Sequence, residues 1–322
     1  MTLKDIQKPV AAELEEFRTY FRSSMRSDVR ILDLIVRYLL RRKGKQLRPT
    51  LVLLSARACG QISEATYQGA ALVELLHTAT LVHDDVVDDA DRRRGVFSIN
   101  ALWKNKIAVL MGDFLLSRGL LLALDAREYD LLHVVSDAVR RMSEGELLQI
   151  EKSRKLDIDE ETYFRIISDK TASLLSACTR CGAVSARADA GMIDIMSRFG
   201  EQLGLAFQIR DDLFDFGQTD VGKPLGIDIR EKKMTLPLIH ALREAPSRER
   251  RRILSLVGKS EKSNGDVADV TTFVEHYGGL DYARARMAHH AGEALRELES
   301  LPSGEARTAL DNLVRFTVSR TR

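Results

Sequence analysis

Apolar side chains recur at helical spacing along most of the chain, as expected for helices that bury one face. Two long stretches show this spacing: Leu72, Leu75, Leu76, Ala79 and Val82 in one, and Met192, Ile195, Met196, Phe199, Leu203, Ala206 and Phe207 in the other. No proline lies between Pro49 and Pro224, and strict alternation of apolar with polar residues is scarce. The pattern predicts an all-α protein in which helix follows helix.

Glycine and proline residues divide this helical pattern into segments. We predict loops at Gly44, Gly60, Gly95, Gly182 and residues 217–226, 260–265 and 302–304. No low-complexity linker separates the segments, so we expect residues 1–322 to form a single domain.

Composition and charge narrow the class of protein. Apolar residues make up 44% of the chain and charged residues 30%, which suits a globular protein with a large core. The formal net charge is only +2, so no overall field favours nucleic acid. Asp113 and Arg118 interrupt the most apolar stretch, residues 107–124, and we expect no membrane-spanning segment. The three cysteines lack a histidine or second pair to complete a zinc site, and we expect a cytoplasmic protein with reduced thiols.

Two copies of the pattern D-D-x-x-D carry the candidate chemistry. The first is Asp84, Asp85 and Asp88, and the second is Asp211, Asp212 and Asp215. Residues four apart share one face of a helix, so each motif places two carboxylates one turn apart at the end of an apolar stripe. One such motif would suit solvated aspartates at a helix end, whereas two favour a binding site.

Clustered carboxylates favour a hard divalent cation, and Mg²⁺ prefers to share its ligand shell with substrate phosphates. If both motifs line one cavity, cations bridging them to a diphosphate would neutralise the charge that develops as the diphosphate leaves. The sequence therefore predicts magnesium-dependent ionisation of a diphosphate ester.

The chain resembles the trans-type isoprenyl diphosphate synthases, whose members make farnesyl, geranylgeranyl and longer polyprenyl diphosphates. The segments that carry the resemblance are residues 44–49 (GKQLRP), 77–88, 93–95 (RRG), 112–115 (GDFL), Lys170-Thr171 and 207–215. The resemblance implies the isoprenoid synthase fold, a large antiparallel helical bundle around a deep central cavity, and a homodimer.

The resemblance also implies a role for each basic residue near the motifs. Isopentenyl diphosphate would be held by Lys45, Arg48, His77 and Arg94. The allylic diphosphate would be held through magnesium by Asp84, Asp88 and Asp211, with Arg93, Lys170, Thr171, Gln208, Lys223 and Lys233 as further ligands. Asp85, Asp212 and Asp215 would bind metal waters. Lys232 lies beside Lys233, so either lysine could be the ligand. Residues 217–233 are predicted to be a loop that closes over the diphosphate.

The implied reaction is loss of diphosphate from the allylic substrate to give a carbocation, attack by the double bond of isopentenyl diphosphate, and loss of a proton. In the family, an aromatic residue five positions before the first aspartate stops elongation. Here that position is Ala79, which favours a long product for a quinone side chain, although Phe114, Leu121 or Leu122 could close the cavity instead.

Three alternatives stay open at this point. The chain could be a short-chain farnesyl or geranylgeranyl diphosphate synthase, or a noncatalytic subunit of a two-component synthase, although intact carboxylates in both motifs argue against the latter. A terpene cyclase would share the fold and one motif, but it would replace the second motif and would not need Lys45, Arg48 and Arg94.

Overall fold

The computed structural model describes residues 1–41, 45–93, 96–154, 156–216 and 226–319, with Arg93 described by its backbone only. Its helices are α1 Leu3–Gln7, α2 Ala11–Ser24, α3 Arg30–Arg41, α4 Leu47–Cys59, α5 Glu64–Val87, α6 Ile99–Asp125, α7 Tyr129–Ser153, α8 Glu160–Ile167, α9 Ser173–Ser185, α10 Ala190–Phe214, α11 Ile227–Arg230, α12 Leu236–Glu244, α13 Ser247–Gly258, α14 Asn264–His276, α15 Gly279–Glu299 and α16 Glu305–Ser319. A 3₁₀ turn spans Lys8–Val10, and a π-helical turn spans Ser168–Ala172. The one sheet in the described residues is a hairpin of β1 Arg92–Arg93 and β2 Val96–Phe97. The prediction of an all-α protein is confirmed.

The chain forms two compact units. The first unit contains Met1–Val139, Ala177–Ser197 and Leu298–Asp311, and the second contains Arg140–Ser176, Arg198–Glu297 and Asn312–Arg322. The single domain expected for residues 1–322 stays a prediction.

In the first unit, α5 packs along α6. Small residues permit this close approach: a Cβ atom added to Gly119 would lie 3.3 Å from side-chain atoms of Leu72 and Leu76. Met111 and Leu115 of α6 join Leu75, Ala79 and Val82 of α5 in one buried cluster. The apolar stripe predicted for residues 72–82 is therefore the buried face of α5.

In the second unit, α8 and α10 contribute to a separate apolar core. Helix α8 begins at Asp159, whose carboxylate accepts a hydrogen bond of 2.8 Å from the backbone N–H of Thr162. Ile166 of α8 and Ile209 of α10 are buried in this core. The cap fixes the start of α8, and α8 and α10, which both carry polar site residues, contribute to one core.

Gly182 departs from the predicted pattern of loops. It lies inside α9, where an added Cβ atom would be 2.5 Å from both Ser55 Cβ and the Val52 carbonyl oxygen of α4. Its missing side chain permits helix contact instead of a turn, and the prediction of a loop here was wrong.

Helix α6 is the one segment among the described residues that is long and apolar enough to cross a membrane. This is weak evidence for a span, because core helices of water-soluble proteins meet the same test of length and composition.

Candidate active site

Helix α5 presents the first aspartate motif at its C-terminal end. The backbone N–H of Asp88 donates to the carbonyl of Asp84 at 2.8 Å, so the helical turn extends through the motif. Asp84 and Asp88 are exposed one turn apart, as predicted, whereas Asp85 is only 3% exposed.

A cavity of about 740 Å³ in the first unit lies against the same helix. Its polar lining includes Arg48 from α4 together with His77 and Asp85 from α5, and its apolar lining includes side chains of α2, α3 and α5. The structure therefore brings together two residues predicted to bind isopentenyl diphosphate. The volume lies in the range of about 300–1,000 Å³ that is usual for small-molecule sites.

Lys45 precedes α4 and does not line this cavity. The side-chain amide of Gln7 donates to the Lys45 carbonyl at 3.2 Å and to the Thr50 hydroxyl at 2.9 Å. These bonds attach the first turn of α4, which carries Arg48, to the N-terminal segment.

Ala79 lies in the buried cluster between α5 and α6, with 3% of its surface exposed, and it does not line the cavity. Of the residues considered as a cavity floor, Phe114 packs against the same cluster, whereas Leu121 is 46% exposed. Leu122 is half-buried.

His83, immediately before the first motif, rests on α6. A Cβ atom added to Gly112 would lie 2.1 Å from Nε2 of this imidazole, and the same nitrogen is 3.2 Å from the carbonyl oxygen of Val109. Asp113 Oδ1 lies 3.6 Å away. The G-D pair at 112–113 thus supports the residue that precedes Asp84.

The second motif lies at the end of α10, where Arg210 holds its first aspartate. The guanidinium donates to Asp211 Oδ1 at 2.6 Å and to the Thr317 carbonyl at 2.8 Å. It also lies over the rings of Phe207 and Phe214 at 4.6 and 5.2 Å. Four contacts therefore orient Arg210, and Asp211 keeps a side chain that is 43% exposed.

Asp212 is buried, and both of its carboxylate oxygens accept hydrogen bonds. The Tyr163 hydroxyl donates at 2.7 Å and the Gln208 amide at 2.9 Å. The pKa of Asp212 is raised to about 7, chiefly by burial and also by the charges of Asp228 and Asp211, although the two hydrogen bonds act to lower it.

Asp215 and Lys233 are linked through Asp228, which the sequence analysis missed. The backbone N–H of Asp228 donates to Asp215 Oδ2 at 3.1 Å, and Lys233 Nζ lies 3.1 Å from Asp228 Oδ1. Burial and the charge of Asp228 raise the pKa of Asp215. Burial would lower the pKa of Lys233, but Asp228 and Glu231 raise it on balance, so the amine stays charged.

Lys170 and Thr171 lie within the π turn. Lys170 Nζ forms an ion pair with Glu146 and donates to the Gln149 side chain at 3.2 Å. The Thr171 hydroxyl donates to Gln208 Oε1 at 2.9 Å, so a hydrogen-bonded chain joins this turn to Asp212. The structure thus connects three predicted residues within the second unit.

Several predicted features lie outside the described residues: Gly44, Arg94, Gly95, Lys223, the side chain of Arg93 and most of the predicted loop at 217–226. Among the described residues, no three His, Cys, Asp or Glu side chains form a ready-made metal site.

The sequence also matches known proteins along its whole length. Residues 29–274 match the polyprenyl synthetase family model. The chain is 35% identical to octaprenyl diphosphate synthase of Escherichia coli, with 100% of both chains covered, and 36% identical to a short chain isoprenyl diphosphate synthase of Methanothermobacter thermautotrophicus, with 86% of each covered.

Solved structures give the same result. A decaprenyl diphosphate synthase from Rhodobacter capsulatus matches with a TM-score of 0.93 and 34% identity, and 100% of both chains is covered. A polyprenyl synthase from Caulobacter crescentus, complexed with calcium and isoprenyl diphosphate, matches with a TM-score of 0.91 and 34% identity over 100% of this chain and 98% of that one. The helical fold and these matches define a prenyltransferase with the isoprenoid synthase fold. The chain belongs to the polyprenyl synthetase family.

Proposed function

We propose that this prenyltransferase is an all-trans polyprenyl diphosphate synthase that adds isopentenyl units to an allylic diphosphate and makes a long product, suited to a quinone side chain. The observation that carries the proposal is the pair of D-D-x-x-D motifs, each presented by a helix that ends at the motif. Full-length similarity to the octaprenyl and decaprenyl enzymes supports the long product.

Each aspartate motif offers hard oxygen donors, which are suited to divalent cations, and we propose Mg²⁺. Asp84, Asp88 and Asp211 supply hard carboxylate oxygens on exposed side chains. The calcium present in the Caulobacter protein supports a divalent cation, since calcium also prefers oxygen ligands. When bound, the cation would neutralise charge on the departing diphosphate.

The basic residues would bind the diphosphates. Arg48 and His77 line the cavity of the first unit, which supports the assignment of isopentenyl diphosphate to these two residues. Lys45 and Arg94 are proposed as further ligands on the resemblance alone. The allylic diphosphate would contact Arg93, Lys170, Thr171, Gln208, Lys223 and Lys233. Lys170 would exchange Glu146 for the diphosphate, because an ion pair that is about one-third exposed is readily replaced by a more highly charged ligand.

The reaction needs no protein nucleophile. The C–O bond of the allylic diphosphate breaks and releases diphosphate, and the double bond of isopentenyl diphosphate attacks the resulting cation. The released diphosphate then accepts the proton whose loss restores the alkene. The apolar lining from α2 and α3 would limit access of water to the cation.

The short-chain alternative makes a different prediction for the product, and the noncatalytic alternative predicts none. Purified protein would be incubated with magnesium, isopentenyl diphosphate and farnesyl diphosphate, and the products would be sized by chromatography beside a chelator-treated sample. We expect long polyprenyl diphosphates only when magnesium is present. A product that stops at 20 carbons, one unit longer than the primer, would support the short-chain alternative, and no elongation with any allylic primer would refute a catalytic role.

A carboxylate variant tests the cation ligands. Asp84→Asn combined with Asp88→Asn should lower turnover by about a hundredfold or more, because neutral amides bind the cation weakly. Asp89→Asn, one residue beyond the motif, is the matched control and should keep normal turnover. Near-normal activity of the double variant would refute the assignment.

A homodimer is also proposed on the resemblance, and a cytoplasmic location is proposed because the cysteines suit reduced thiols. Analytical ultracentrifugation tests the dimer, and fractionation of cells that express the chain tests the location.

A further inference from the structure

The π turn that carries Lys170 and Thr171 is an unusual local structure. The backbone N–H of Ser173 donates to the carbonyl of Ser168, five residues earlier, instead of to Asp169. Such turns are rare and concentrate at functional sites. Conversion to α-helical hydrogen bonding would rotate residues on one side of the turn by about 100° relative to those on the other.

The π register leaves the Asp169 carbonyl without its usual backbone donor, and a side chain replaces that donor. The Ser173 hydroxyl donates to this carbonyl at 2.5 Å. This bond removes one cost of the π register, because the carbonyl is partly shielded from water and would otherwise lack its helical donor.

Two neighbouring helices contact the turn through glycines. A Cβ atom at Gly145 of α7 would lie 2.8 Å from the Lys170 backbone nitrogen, and one at Gly204 of α10 would lie 2.4 Å from Ala172 Cα. Both contacts are with backbone or Cα atoms, which cannot rotate away as a flexible side chain can. The backbones of α7 and α10 therefore bracket the turn.

Arg141 of α7 binds the start of the turn. Its Nε donates to Asp169 Oδ1 at 2.8 Å and its Nη2 to the Ser168 hydroxyl at 2.9 Å. The same Nη2 lies 3.2 Å from Glu201 Oε1 of α10, and Glu201 also accepts a hydrogen bond from Ser168. One guanidinium thus joins both flanking helices to the turn through charge-assisted bonds, which are stronger than neutral ones.

The end of the turn is connected to the second aspartate motif. Thr171 donates to Gln208, which donates to Asp212, so a change of register would break this chain as well as redirect Lys170. We propose that Arg141 is a positioning residue, which holds the π turn so that Lys170 and Thr171 face the allylic diphosphate. The inference rests on the proposed function, because that function supplies the diphosphate.

The test compares neighbouring arginines of one helix. Arg141→Gln removes the charge that binds the turn, whereas Arg140→Gln removes a surface arginine paired with Glu144 and serves as the control. Affinity for farnesyl diphosphate would be measured by calorimetry with magnesium and without isopentenyl diphosphate. KM for isopentenyl diphosphate and the thermal midpoint would be measured in parallel.

We expect Arg141→Gln to weaken farnesyl diphosphate binding about tenfold, the effect of losing hydrogen bonds to a charged group. KM for isopentenyl diphosphate should stay within about twofold, and Arg141→Lys, which keeps the charge but loses the fork of donors, should be intermediate. If Arg141→Gln does not fold, Ser173→Ala removes only the hydroxyl donated to Asp169 and should weaken the same binding in the same direction.

Unchanged farnesyl diphosphate affinity in a folded Arg141→Gln protein would overturn the inference, as would an equal loss for both substrates. Failure of the unaltered protein to bind farnesyl diphosphate would instead refute the proposed function, and the inference with it.

Discussion

Replacing glycine by alanine should destabilise the protein at Gly112, which contacts His83, and stabilise it at Gly292. In Gly112→Ala, the new methyl group would lie 2.1, 2.4 and 2.8 Å from three atoms of the His83 ring, well inside any ordinary contact distance. Either the imidazole leaves α6 and loses its contact with the Val109 carbonyl, or α5 and α6 move apart. Overpacking in a closed core costs about 1–3 kcal/mol, and we expect the lower end of this range because the partly exposed His83 side chain can turn away. Turnover should also fall, because His83 directly precedes Asp84.

Gly292 is the matched control. It lies within α15, and a Cβ atom there would meet nothing within 4 Å. Alanine loses less backbone entropy than glycine on helix formation, so Gly292→Ala should stabilise the protein by about 0.5–1 kcal/mol. Turnover should be unchanged.

Urea unfolding followed by circular dichroism would measure both effects, with turnover assayed on the same preparations. A second test places Gly112→Ala in a His83→Ala background, where the clash is absent and the substitution should cost less than half of its original amount. Equal destabilisation in both backgrounds, or a Gly112→Ala protein as stable as the parent, would refute this account of the glycine.

Two further predictions concern product length and acid stability. In the family that the sequence resembles, an aromatic residue at the position of Ala79 stops elongation, so Ala79→Tyr should shorten the product. An unchanged length distribution on chromatography would show that Ala79 has no part in setting it. The prediction on acid stability concerns His290. Burial and, to a smaller extent, the charge of Arg286 lower its pKa from 6.5 to about 4. The unfolded chain therefore takes up this proton first, and about 2–3 kcal/mol of stability should be lost as pH falls from 6.5 through about 4. Thermal midpoints of His290→Gln should fall less steeply over this range than those of the parent or of His289→Gln, and identical slopes would contradict the prediction.

The sequence was sufficient to predict the helices that carry the motifs. Helices α5 and α10 are long, their apolar residues keep one period throughout, and each ends at its aspartates, so local pattern and tertiary burial agree. Gly182 shows where local pattern was insufficient. A glycine suits both a loop and a close helix contact, and only the position of α4 distinguishes the two.

Partners distant in the sequence could not be predicted. Tyr163 and Asp212 are 49 residues apart, and no sequence pattern indicates that they contact one another. Arg141 lies in a helix with many charged residues, and nothing in the sequence distinguishes it from a solvent-exposed arginine. The π turn leaves no signal in the spacing of apolar residues. Asp228 follows a glycine-rich segment, and its proximity to the second motif was the one available signal.

The two aspartate motifs look equivalent as sequences, but the helix gives their members different environments. Neighbouring residues on a helix point about 100° apart, so two consecutive aspartates cannot both face the same side. In each motif the second aspartate is the buried one: Asp85 is 3% exposed and Asp212 is 5% exposed, whereas Asp84 and Asp211 are exposed. A buried carboxylate whose oxygens are both hydrogen-bonded, as in Asp212, is better suited to fix the helix end than to enter the shell of a cation. The first aspartate of each pair is therefore the better cation ligand, and this division follows from helical geometry alone.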